Sequence, residues 1–138
     1  MKIIIKENIN MTRINVGIPP HELTDKHLLA EHREIKRIPN CIAKGKYNMD
    51  NIPKRFKLGK GHVKFFYDKL EYLFTRYCKL YLECKRRGFN VQNYSKAWDN
   101  LPDELLNYYE PTLEDRLIVQ ERINEKLNKW KNITCRIM

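Results

Sequence analysis

Residues 62 to 87 read HVKFFYDKLEYLFTRYCKLYLECKRR. Apolar side chains recur at Phe66, Leu70, Leu73, Tyr77, Leu80 and Cys84, in the alternating steps of four and three that keep one stripe along one face of a helix. The spacing predicts a central helix from His62 to Arg87, about 39 Å long at 1.5 Å per residue. Lys85-Arg86-Arg87 suit its negative end, and Gly88 supplies a stop. Its aromatic residues are expected in the core rather than as a platform for stacked bases.

Outward from that helix the chain is punctuated on both sides. Pro19-Pro20 break it, and His21 to Ile38 suits a helix that stops before Pro39, with Glu22 and Asp25 early and Lys36 and Arg37 late, as the helix dipole favours. Asn40 to Lys60 mixes Asn, Pro, Gly and lysines without a period and reads as a basic surface loop, for phosphate contact or merely solvated. Beyond Gly88, Asn100 and Pro102 start a short helix through Leu106. Thr112-Leu113-Glu114-Asp115 resembles a capping box, followed by Val119, Ile123, Leu127 and Trp130 at helical spacing. The expected fold is all-α: one compact domain of three main helices with irregular basic connecting loops, spanning residues 11–138 behind an N-terminal extension of residues 1–10.

The 138 residues suffice for one core. Lys and Arg number 27 against 17 Asp and Glu, a net charge of +10, which favours an anionic polymer, nucleic acid first. Cys41, Cys78, Cys84 and Cys135 have neither metal-ligand spacing nor the density of a disulfide scaffold and read as reduced, packed thiols. Ile3-Ile4-Ile5, between Lys2 and Lys6, is too short for a signal peptide or a membrane span. A cytoplasmic protein with no membrane partner is expected. Gly59-Lys60-Gly61-His62 lacks phosphate-loop spacing and a preceding strand, which argues against nucleotide hydrolysis.

Glu34 lies seven residues after His27 and three before Arg37, so on one continuous helix the three project from neighbouring positions of one face. Arg33 and Arg37 would keep the Glu34 carboxyl ionised and could hold phosphates on either side of it. Spacing alone favours an ordinary salt-bridged helix surface.

Thr12-Arg13-Ile14-Asn15, His27-Leu28-Leu29-Ala30-Glu31-His32-Arg33-Glu34, Arg37, Gly61-His62-Val63-Lys64-Phe65-Phe66-Tyr67-Asp68-Lys69-Leu70-Glu71 and Cys84-Lys85-Arg86-Arg87-Gly88-Phe89-Asn90 together resemble the pyrimidine-dimer DNA glycosylase and abasic-site lyase family, over Met11 to about Leu127. The resemblance implies a compact all-α enzyme that recognises cyclobutane pyrimidine dimers in duplex DNA, cuts the glycosidic bond and nicks the strand by β-elimination, as a monomer without cofactor or metal. It implies that Thr12 is the nucleophile through its backbone α-amino group, with Met11 as initiator methionine, and that Glu34 is the catalytic carboxylate. It assigns Arg13, His27, Arg33 and Arg37 to the sugar-phosphate backbone around the flipped nucleotide, and Arg122 and Lys126 to further DNA contacts.

The chemistry fits those groups. An α-amino group with a pKa of about 7.8 is roughly one-third neutral at pH 7.5, against about one-thousandth of a free lysine. A carboxylate stabilises the cation that grows on the sugar as the base leaves and assists proton movement in the imine that follows. Two features depart from the family pattern. Ten residues precede Met11, and while they remain Thr12 offers an amide rather than an amine, so either translation begins at Met11, or the extension is trimmed, or this form has lost or altered its catalysis. Trp130 is followed by Lys131-Asn132-Ile133-Thr134-Cys135, where a phage member carries an aromatic-rich tail. The competing expectation is a non-catalytic DNA-binding protein of the same fold.

Overall fold

The stripe from Phe66 to Cys84 is the spine of the core: Phe66, Leu70, Leu73, Leu80 and Cys84 are fully buried and Tyr77 nearly so. The computed structural model describes residues 12–137, with side chains through Lys131; the expectations for residues 1–10, Met11 and Cys135 and for the side chains after Lys131 lie outside them. The described residues form α1 (Asp25–Glu34), α2 (Arg37–Ala43), α3 (His62–Phe65), α4 (Leu70–Arg86) and α5 (Leu113–Ile137), with 3-10 turns at Pro20–Glu22, Ser95–Trp98 and Asp103–Leu105 and no strand among them. The all-α expectation holds. α1 lies against α4, which also receives the turns at 20–22 and 95–98, while α2 packs on the latter turn. No helix among the described residues is long and apolar enough to cross a membrane.

Two predicted helices are each divided. The segment expected as one helix from His21 to Ile38 begins instead at Thr24, whose side chain accepts the His27 N–H at 3.2 Å. It ends at Glu34 and resumes as α2. Pro39 causes the division. A continuous helix would need a Pro39 N–H for the Ile35 carbonyl and would drive the ring into that carbonyl; breaking at Ile35-Lys36 puts Pro39 in the first turn of α2, where no N–H is required. The segment expected as an unbroken helix from His62 to Arg87 is divided at Phe66–Lys69. Phe65 and Phe66 are both buried, whereas adjacent side chains of one helix point about 100° apart; the turn lets both rings face inward. α4 is therefore about 25 Å long rather than about 39 Å.

The other elements follow the reading closely. Asn40–Ala43 belongs to α2, and the basic loop starts at Lys44. Phe56 anchors the loop, meeting His62, Phe65 and Phe66 edge to face. The short helix near Pro102 is the 3-10 turn Asp103–Leu105. α5 opens with the expected capping box: the Asp115 N–H donates to Thr112 Oγ1 at 3.0 Å, and the Thr112 N–H to Asp115 Oδ2 at 3.2 Å. Val119 and Ile123 are buried and Leu127 packs against the core. Trp130 departs from that stripe, lying against His27 instead. Cys41, Cys78 and Cys84 are free thiols.

The segment Thr12–Ile18 belongs to no helix and ends in a turn in which the Ile18 N–H donates to the Asn15 carbonyl at 3.3 Å. Thr12, Ile14 and Val16 are 0% exposed, and Asn15 and Ile18 are buried with them. With no sheet around it, its polar groups are met by side chains from other elements. Asn15 Nδ2 donates to Glu31 at 2.8 Å. Arg76, fully inside α4, donates through Nε and Nη2 to the Glu31 carboxylate at 2.5 and 2.9 Å, and through Nη1 to the Ile18 carbonyl at 2.8 Å. Gly17, at φ +73°, turns the segment where a Cβ would sit 3.0 Å from Arg116 Cβ, so α5 closes directly on it. Arg76→Met leaves the Glu31 charge buried without its cation and is expected to cost about 3–5 kcal/mol in urea unfolding; a loss below about 1 kcal/mol would show that the pair does not hold the core together.

Candidate active site at the buried N-terminal segment

Arg13 is the half-buried residue of this segment, between buried Thr12 and buried Ile14. Its guanidinium pKa is lowered by burial first and then by the Arg122 charge, with the Glu34 charge opposing. Charges from two other elements, Glu34 at the end of α1 and Arg122 of α5, thus act on Arg13, the residue that follows Thr12. The Thr12 hydroxyl, buried, has no hydrogen-bond partner among the described residues. Glu34 keeps 17% of its side chain exposed, and exposed Arg33 approaches its Oε2 with Nη2 at 3.7 Å.

His27 belongs to a second neighbourhood. It sits in the first turn of α1, about 10 Å along the axis from Glu34 on the same helix. Its Nδ1 meets Thr24 Oγ1 at 2.8 Å. That hydroxyl also accepts the His27 backbone N–H. Burial lowers the His27 pKa first; Glu31 opposes, and Lys26 and Lys126 reinforce it. The Trp130 ring lies 5.2 Å from the His27 ring, with the Lys26 ammonium 4.1 Å above the indole. The Lys126 charge thus acts on His27 as the Arg122 charge acts on Arg13. Arg37 is half-buried and opens α2, beyond the corner rather than on α1.

Sequence reasoning missed the groups that hold the segment in place. Glu31, one turn before Glu34, and Arg76 are described above. His62 is the third: 1% exposed, it accepts the Ile14 N–H on Nε2 at 2.9 Å and meets the Lys57 carbonyl with Nδ1 at 2.8 Å. Accepting on Nε2 requires the proton on Nδ1, which then donates to Lys57. A usable signal existed in the alternation of Ile14, Val16 and Ile18, the period of a buried extended chain. The cations cannot be placed by any comparable period.

A cleft of about 680 Å³ lies elsewhere, between the Gly17–His21 backbone, the outer side of α4 and Tyr108–Pro111. None of the candidate site residues lines it.

His62 makes the protein acid-sensitive. Its folded pKa is down to about 4, chiefly from burial, with Arg13 and Arg122 reinforcing and Lys57 and Glu31 opposing; the unfolded value is about 6.5. The unfolded chain therefore takes up the proton first, and stability present above about pH 6.5 is lost as the pH falls toward about 4. Between pH 7.5 and 5, the wild type is expected to lose about 2 kcal/mol more in urea unfolding than His62→Gln, which has no titrating ring. Parallel slopes for the two proteins would refute the assignment.

Residues 11–97, well over half the chain, match a family model described as pyrimidine dimer DNA glycosylase. The match contains Thr12, Arg13, His27, Arg33, Glu34 and Arg37, together with Glu31, His62 and Arg76, and stops before α5.

Proposed function

The chain belongs to the pyrimidine dimer DNA glycosylase family, and we propose from that premise that it excises cyclobutane dimers from duplex DNA and nicks the abasic strand, with Thr12 as amine nucleophile and Glu34 as catalytic carboxylate. The reading is supported by the Glu34 and Arg122 charges both acting on Arg13, next to Thr12; Glu34 would supply the anion for the reacting sugar and the two arginines the cations for its phosphates. Arg33 and Arg37 extend that cationic rim along the backbone, and His27 with Lys126 forms a second contact about two helical turns away. The lesion is weakly stacked, which lowers the cost of extruding a nucleotide without any reading of sequence.

In this reading the Thr12 amine forms a bond to C1′ as the bond from C1′ to the base breaks, the base leaving with the electron pair and taking a proton. The sugar ring opens to an imine. Loss of a C2′ proton expels the 3′ phosphate, and water then hydrolyses the imine and returns the amine. Glu34 stabilises the cationic sugar and assists the proton movements. No step draws on a metal or an organic cofactor.

Glu34→Gln preserves shape and removes the charge. It is expected to fold and bind lesion DNA while nicking of ultraviolet-irradiated plasmid falls roughly 100-fold or more; near-normal nicking would remove Glu34 from the catalytic role.

The second expectation concerns the terminus. Protein beginning at Thr12 should nick irradiated plasmid and trap a covalent DNA adduct at Thr12 with borohydride, and protein retaining residues 1–11 should do both poorly, because Lys2 and Lys6 are mostly protonated at neutral pH. Equal activity from a form proven by mass to keep its extension, or an adduct mapped away from Thr12, would overturn the assignment. Binding without any adduct in the short form would favour a DNA-binding protein that does no chemistry.

A further inference from the structure

We infer that His62 is a positioning residue for the nucleophilic terminus, setting the direction in which Thr12 points through its hydrogen bond to the Ile14 amide. The inference rests on the amine mechanism proposed above and adds to it a residue from a distant part of the chain. Thr12 and Arg13 are the residues between Ile14 and the reacting nitrogen, so the nitrogen lies within about 7 Å of the point that His62 fixes. Burial of the Ile14 side chain holds the segment in the core, but burial is non-directional. It decides which face of the segment turns inward but not the tilt of the Ile14 peptide plane, on which the direction of the terminus depends. A hydrogen bond has a preferred line, and the 2.9 Å contact from the Ile14 N–H to Nε2 fixes that tilt. The next fixed point, Asn15 on Glu31, lies on the side of the segment away from the terminus.

His62 is itself fixed on every side. Its Nδ1–H donates to the Lys57 carbonyl at 2.8 Å, and Phe56 and Phe66 meet its ring edge to face at 5.4 and 5.3 Å. Gly61, at φ +92° and with Pro53 and Lys57 carbons 3.3 Å from where a Cβ would stand, lets the 53–61 loop close over the start of α3. The charged groups that face the ring are Arg13 of the segment, Glu31 of α1 and Arg122 of α5. Burial and the two arginines keep the ring neutral, and only a neutral ring can accept the Ile14 N–H. The basic loop thus orients the terminus through Lys57 and His62, whatever contact its lysines make with phosphate.

The test uses protein made from its native gene, with its terminus established by mass, and the variants His62→Gln and His62→Phe. Glutamine offers an acceptor and a donor on one side chain; phenylalanine fills the space and offers neither. Amide exchange at Ile14 should be fast in His62→Phe and protected in wild type and His62→Gln, with α4 amides protected in all three. Single-turnover borohydride trapping on abasic duplex should fall roughly 10- to 100-fold in His62→Phe, with DNA affinity held, and recover to within about threefold of wild type in His62→Gln. Trapping by His62→Phe at the wild-type rate, or loss in both variants despite a protected Ile14 amide, would overturn the positioning role. A wild-type protein that binds abasic duplex but never traps would instead overturn the amine mechanism, and Ile14 exchange alone would then decide whether His62 fixes the segment.

Discussion

A carboxylate and a guanidinium, both almost wholly removed from water, meet at the centre of this protein. Glu31 and Arg76 join α1 to α4, and each also reaches the segment Thr12–Ile18, Glu31 through Asn15 and Arg76 through the Ile18 carbonyl. Removing either partner strands a charge in the core, and the cost of that exceeds what the pair contributes over an apolar replacement. What the pair provides is placement. An extended segment without a sheet has few ways to satisfy its backbone, and this one uses a buried ion pair on one side and a buried histidine on the other.

That arrangement explains why the candidate site lies where it does. Glu34 is one turn beyond Glu31 on the same helix, so the contact that seats the N-terminal segment also sets its position relative to the carboxylate. α5 completes the group from outside, closing on Gly17 and bringing the Arg122 charge to Arg13 and His62. At the other end of α4, Arg87 ties the helix back to the start of α1, bonding the Asp25 carboxylate and the carbonyls of Pro20, His21 and Leu23. α1 is therefore held against α4 at both its ends.

The helices were legible because apolar residues repeat along them. The stripe from Phe66 to Cys84, the Thr112 and Asp115 cap, and the stop at Gly88 all follow from local spacing and local hydrogen bonds. The breaks were less legible. Pro39 announces itself, but whether a proline ends one helix or opens the next depends on where the chain turns, and Phe65-Phe66 forces a turn only because both rings face the same core. In the site, Thr12, Glu34 and the arginines were named by resemblance, and spacing would not have singled them out. Glu31, Arg76 and His62 escaped notice for a different reason: a charged or polar residue at a core position looks in sequence like one at the surface, and its partners lie 16 to 58 residues away.

The burial of Thr12 also sets an order of events during synthesis. For a chain that starts at Met11, the threonine leaves the ribosome first, while His62 and Arg76, which seat it, are not yet made. At about 5–20 residues per second, roughly 3 to 13 seconds pass before Arg76 is polymerised. The part of the chain that is made first is thus seated only after residues 48 and 58 positions further on have been added, which makes its placement a late event of folding.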